Sequence, residues 1–215
     1  MKTGIYGGTF DPPHTGHVKA LEKFISQFSL DKVYVIPSYI PPHKTVKSGV
    51  LPNQRFEMAK LAFLGVSEKV EISDIEINRK GKSYTSDTVA FFNENLKTKP
   101  YLLCGTDMFL TLDTWHEPEY IFRNSVIVYA RRENDPESTK LIEEKTNDYE
   151  NKYGALIYRL DMDATEISST DIRKAINGYY RGEKRSSYLR ECVPEKVIEF
   201  IMENNLYKNG DTNDR

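Results

Sequence analysis

The sequence predicts a doubly wound, Rossmann-like α/β fold, a parallel sheet covered by helices, with a small C-terminal helical subdomain. Three observations carry this. Short apolar runs alternate with amphipathic helical stretches along most of the 215 residues, the order a parallel sheet requires. Loops rich in Gly, Pro, His, Ser and Thr follow those runs, so they gather at one edge of the sheet, where ligands bind. Beyond about Thr170 only helical spacing remains. The expected division is a core at residues 1–169 and a helical subdomain at 170–215.

Residues 2–6 read as a first strand running into Gly7-Gly8, with a helix opening near Gly16-His17 and carrying Leu21, Phe24, Ile25 and Phe28. The two glycines let a phosphate approach the backbone. A helix start offers unpaired N–H groups and the positive end of a dipole. His14 and His17, three apart, can both face that anion, although a tight turn with two surface histidines fits the same spacing. A Walker-type loop is excluded because no Gly-Lys-Ser/Thr follows, and G-x-G-x-x-G is also missing.

Residues 31–37 form a second strand, halted by Pro37. The loop 38–50 is stiffened by Pro41 and Pro42 and carries His43 and Lys44. A helix follows over 53–64, whose Arg55 faces either solvent or a cleft. After a short strand at 70–73, residues 74–83 are polar, and Ser86 or Asp87 would cap a helix running to Leu96. Tyr84 and Thr85 then stand at a strand-to-helix junction, either as a plain capped start or as part of a cleft. Residues 101–105 are a buried strand ending in Gly105-Thr106-Asp107. The next helix, with Met108, Phe109 and Leu112, leads to Trp115 and His116. A lone tryptophan is usually packing, but at the end of a sheet its indole can stack on a flat ring.

A strand at 126–130, a charged helix at 135–153 and a last strand at 155–160 complete the sheet. Ser169 and Thr170 then cap a helix with Arg173 in its first turn, a second helix start suited to phosphate. Helical sequence at 185–192 precedes Pro194, placed at the first position of a final helix that turns Val197, Ile198, Phe200 and Ile201 inward. Residues 208–215 are expected to fray.

The formal charge of −2 argues against a nucleic-acid or membrane-surface partner, so any anion site must be a local basic cluster. No apolar run approaches the roughly 18 residues of a spanning helix, and no signal-peptide pattern opens the chain. Cys104 and Cys192 form no metal-type pair. A reducing, cytoplasmic setting is expected.

Five segments share one further property. They are G-G-T-F-D-P-P-H-T-G-H at 7–17, I-P-S-Y-I-P-P-H-K at 36–44, R-K-G-K-S-Y-T-S-D-T at 79–88, G-T-D-M-F-L-T-L-D-T-W at 105–115 and I-S-S-T-D-I-R at 167–173. In this order they resemble the bacterial nicotinate mononucleotide adenylyltransferases of the nucleotidyltransferase superfamily. The first and last report nucleotidyl transfer in general, and the middle three point to the pyridine nucleotide branch. Pro13 stands where relatives often carry an aliphatic residue.

The resemblance implies transfer of AMP from ATP to nicotinate mononucleotide, giving nicotinate adenine dinucleotide and pyrophosphate in NAD biosynthesis. It implies a catalytic set of His14, His17, Lys44 and Arg173. ATP would be bound by Gly7, Gly8, Thr9, Phe10, both histidines, Gly105, Asp107, Ser169, Thr170 and Arg173, so that the C-terminal subdomain completes the ATP site. The pyridine nucleotide would meet Thr9, Lys44, Tyr84, Thr85, Trp115 and His116. Mg²⁺ would be held mainly by the phosphates, with no metal site in the protein. Phosphopantetheine adenylyl transfer and a non-catalytic nucleotide sensor are the competing readings. The first leaves residues 83–88 and Trp115 unexplained.

Overall fold

The computed structural model describes residues 1–42, 48–96, 98–131, 136–163, 167–183 and 186–208. Six strands, β1 (Thr3–Gly8), β2 (Lys32–Pro37), β3 (Val70–Ile72), β4 (Tyr101–Gly105), β5 (Val126–Ala130) and β6 (Leu156–Leu160), form one sheet in the order β3-β2-β1-β4-β5-β6. Each neighbouring pair is parallel. The strand order reverses between β1 and β4, so the loops leaving these two strands diverge and open a crevice at the carboxyl edge.

Strand alternation separates two cores. Tyr6, Val33, Val35, Leu103 and Val128 point to one face of the sheet. There they meet α1 (Thr15–Phe28), α2 (Pro52–Phe63) and the C-terminal helices α8 (Ser169–Tyr180), α9 (Ser186–Cys192) and α10 (Glu195–Glu203). Ile5, Ile36, Leu102, Cys104 and Ile127 point to the other. That face is covered by α4 (Thr85–Asn95), α5 (Thr106–Phe109), α6 (Pro118–Asn124) and α7 (Pro136–Tyr153). The C-terminal helices therefore share a core with α1, which fixes them over the loop that follows β1.

Several local expectations are corrected. The polar stretch after β3 contains a short helix, α3 (Ile75–Arg79), and α6 was not foreseen. Both are too short to show a helical period in sequence. The N-cap of α4 is Tyr84, not Ser86 or Asp87. The Ser86 side chain is buried and its hydroxyl meets His116 Nδ1 at 3.1 Å. Ser168 caps α8 by accepting from the Asp171 N–H at 3.1 Å, which frees Ser169 and Thr170 for other partners. Pro194 is the N-cap of α10 rather than its first residue.

Candidate active site

The loop between β1 and α1 is set by its own residues. Phe10 has φ 49°, a left-handed conformation unusual for an aromatic residue, and is held there by buried edge-on contacts with Tyr6, His17 and Phe63. A Cβ on Gly8 would lie 2.8 Å from the Phe10 ring, so glycine is needed for that closure. A Cβ on Gly7 would meet nothing within 4 Å and would enter the cleft.

His14 is the N-cap of α1, and the two histidines cap each other. The His17 N–H donates to His14 Nδ1 at 3.3 Å, and the His14 N–H donates to His17 Nδ1 at 3.2 Å. Both Nδ1 atoms therefore act as acceptors, so each neutral ring carries its proton on Nε2. The rings stack with centroids 3.5 Å apart, and both line the cleft. Spacing alone could not reveal this: the reciprocal cap leaves the proton of each neutral ring on Nε2.

The C-terminal helix binds this loop from the other side. Arg173 donates through Nη1 to the Asp11 carbonyl at 2.9 Å and through Nη2 to Thr170 Oγ1 at 3.2 Å. The Ser169 hydroxyl donates to the Pro12 carbonyl at 2.9 Å. From beyond α10, the buried Tyr207 hydroxyl donates to Asp11 Oδ1 at 2.8 Å. Burial and the adjacent Asp11 push the Tyr207 hydroxyl well above its ordinary pKa, which keeps it a donor.

These residues and the carboxyl end of β4 enclose a cleft of about 340 Å³. It brings together Gly7, Gly8, Thr9, Phe10, His14, His17, Thr85, Gly105, Asp107, Trp115, Ser169, Thr170 and Arg173 from the expected set. Tyr84 and His116 are not on its wall; they stack on each other at 4.3 Å, with His116 pinned by Ser86. Lys44 lies outside the described residues, as do 209–215 of the expected frayed tail.

Sequence reasoning assigned no site role to four other lining or supporting residues. Arg131, at the end of β5, faces the cleft. Its only signal was a basic residue directly after a strand. Ser38 places a buried hydroxyl on the wall with no hydrogen-bond partner among the described residues. Glu76 also lines the cleft, where it accepts from the Thr88 hydroxyl at 2.7 Å. Burial raises its carboxyl above the ordinary range, opposed by the Thr88 and Ser83 hydroxyls. Arg55 is neither solvent-facing nor on the wall: it is 1% exposed and bridges two loops.

The carboxylates on the wall are Asp11, Glu76 and Asp107, and the first two are engaged by Tyr207 and Thr88. Among the described residues no group of three His, Cys, Asp or Glu side chains is arranged to hold a metal ion. Such a wall suits a Mg²⁺ ion that arrives on a polyphosphate with its remaining ligands from water. No helix among the described residues is long and apolar enough to cross a membrane.

The crevice at the reversal of strand order thus carries a glycine loop and two stacked imidazoles on its wall. The family model described as cytidylyltransferase-like matches residues 5–175. A protein of Thermoanaerobacter sp. (strain X514), named "Probable nicotinate-nucleotide adenylyltransferase", is 35% identical over 215 residues, 99% of this chain and 97% of that protein. One of the same name from Clostridium botulinum (strain Kyoto / Type A2) is 37% identical over 209 residues, 97% of this chain and all of that protein. The chain belongs to the nicotinate-nucleotide adenylyltransferase family within the cytidylyltransferase-like group. The fold is shared with Plasmodium falciparum nicotinic acid mononucleotide adenylyltransferase complexed with NaAD, at TM-score 0.73 and 19% identity over 96% of this chain and 98% of that one.

Proposed function

We propose that the protein transfers the adenylyl group of ATP to nicotinate mononucleotide, releasing pyrophosphate and forming nicotinate adenine dinucleotide for NAD synthesis in the cytoplasm. The observation that supports this reading is the reciprocal histidine cap, which sets both imidazole rings on the cleft that Trp115 and Thr85 also line.

The acceptor phosphate is already anionic, so the reaction needs no general base and no covalent intermediate. Its oxygen attacks the α-phosphorus in line, and the bond to the bridging oxygen of the pyrophosphate breaks. What opposes the reaction is the mutual repulsion of two polyanions and the entropy of aligning them. Positioning removes roughly 7–11 kcal/mol of such a barrier. Each well-aimed donor adds on the order of 3 kcal/mol as charge develops on phosphate oxygens.

His14 and His17 supply that donation, and Lys44 and Arg173 add positive charge. Gly7 leaves room for a phosphate against the backbone. Thr170 orients Arg173 while Ser169 anchors the loop at Pro12, and together they hold the triphosphate tail, so the helical part from residue 170 completes the ATP site. Gly105 and Asp107 lie beside the nucleotide sugar. When bound through the phosphates, with water as its other ligands, Mg²⁺ would neutralise charge on the departing pyrophosphate.

Trp115 stacks on the pyridine ring, and Thr85 with nearby backbone N–H groups binds the nicotinate carboxylate. Tyr84 and His116, next to Thr85 and Trp115 along the chain, tie those two segments together through their ring stack. Donors around the ring favour the acid over the amide, which brings N–H donors of its own.

The deciding experiment supplies purified protein with ATP and Mg²⁺ and, in parallel, the acid or the amide mononucleotide. Pyrophosphate release with the acid acceptor, and slower release with the amide, is expected. Failure to turn over either acceptor ends the reading.

A further inference from the structure

Among the described residues, Arg55 is the largest fully buried side chain, at 1% exposure. Its Nε has no hydrogen-bond partner among the described residues. Burial lowers its pKa, opposed by the negative field of Asp11 foremost. A buried guanidinium with an unmet N–H costs free energy that an apolar side chain of similar volume would avoid.

The two bonds it does make are informative. Nη1 donates to the carbonyl of Thr9 at 2.8 Å, and Nη2 donates to the carbonyl of Tyr39 at 2.9 Å. Thr9 belongs to the loop after β1 and lines the cleft. Tyr39 belongs to the loop after β2, whose Pro41 and Pro42 also line it. The backbone of Tyr39 is gripped on its other side too, because its N–H donates to Ser83 Oγ at 2.8 Å. Ser83 N–H in turn donates to the carbonyl of Ile40 at 2.9 Å. The Ser83 hydroxyl favours the charged form of Glu76, which accepts from the Thr88 hydroxyl in the first turn of α4. A continuous polar strut thus runs from the glycine loop through Arg55, Tyr39 and Ser83 to the start of α4, where Thr85 faces the cleft.

We infer that Arg55 is a positioning residue that sets the spacing between the loops after β1 and β2 and so fixes the acceptor nucleotide relative to the α-phosphate. The inference rests on the adenylyl-transfer reading. Only a planar fork reaches both carbonyls at once; lysine has a single point charge. The ATP-facing side of the glycine loop keeps separate ties through Arg173, Ser169 and Tyr207. Losing the strut therefore disturbs acceptor placement more than ATP binding.

The test uses Arg55→Lys, which keeps the charge, and Arg55→Gln, which keeps one donor and leaves no buried charge to destabilise the fold. Thermal unfolding selects the variants that remain folded. Rates of pyrophosphate release are measured with each substrate varied, and ATP affinity by calorimetry. A folded variant is expected to lose kcat on the order of a hundredfold, the cost of about 1 Å of misplacement. Its KM for nicotinate mononucleotide rises while its ATP affinity stays near that of the wild type. Parallel loss for both substrates, or wild-type kinetics in a folded variant, overturns the inference and leaves Arg55 as a stability residue. The wild-type control separates the two readings: an inactive wild type ends adenylyl transfer itself, whereas an active wild type with unsplit variants ends only the role of Arg55.

Discussion

In the half of the cleft proposed to bind phosphate, residues 7–17 carry the Gly7-Gly8 pair, the aromatic wedge and both histidines in one uninterrupted stretch, and their principal hydrogen bonds are made within it or to its backbone. In the half proposed to bind the pyridine ring, Tyr84, Thr85 and Ser86 at the start of α4 meet the distant segment of Trp115 and His116 through the Tyr84–His116 stack and the Ser86–His116 contact. Contacts close in sequence are cheap to close entropically and leave a motif, whereas contacts between elements depend on how those elements pack. The phosphate half therefore reads as chemistry common to many acceptors, and the pyridine half as the part that chooses among them.

The largest expected effect falls on the shared chemistry. His17→Ala removes a donor and one side of the reciprocal cap, and kcat should fall by a hundredfold or more. Kinetics within a few-fold of the wild type would move the donor role elsewhere. Trp115→Ala acts on the selective half: the KM for the pyridine nucleotide should rise roughly tenfold, the worth of one ring stack, with little change for ATP. Equal changes in both constants would reduce Trp115 to packing and blur the contrast between halves.

The two glycines sharpen the comparison inside the phosphate half. Gly8→Ala drives a Cβ into the Phe10 ring and should cost about 1–3 kcal/mol of stability, seen as a lowered Tm. Gly7→Ala should leave Tm almost unchanged and weaken ATP binding, because its Cβ enters the cleft. The reverse pattern would mean the loop closes differently.

The smallest effect is a pH dependence. Glu76 titrates above its ordinary value of 4.5, chiefly because burial disfavours its charge. The folded chain then holds this proton more tightly than the unfolded chain. Its contribution to stability declines as pH rises from that ordinary value through the raised one. Glu76→Gln removes the titration, so the Tm difference between variant and wild type should shift in the variant's favour across that window. A difference that does not vary with pH would show that Glu76 holds its proton equally in the folded and unfolded chain.

All six strands, the helix after β1 and most of the residues that line the cleft together were legible because strand runs and the glycine–histidine loop are local patterns. Residues such as Arg55, Glu76 and Ser38 were not, since a charged or hydroxyl side chain in an otherwise amphipathic stretch looks solvated until its burial is known. The N-cap of α4 was missed for the same kind of reason: Ser86 is a good cap by residue type, but its hydroxyl is taken by His116.

What the amino-acid order determined alone is the alternation of strands and helices and the residue content of the glycine loop, because period and turn chemistry act between near neighbours. Which nitrogen of each imidazole carries the proton, which carbonyls Arg55 spans and how Tyr207 reaches Asp11 were decided only by tertiary structure. Those bonds join residues that are distant along the chain or depend on the exact set of the backbone, and only packing of the sheet against its helices brings the partners within reach.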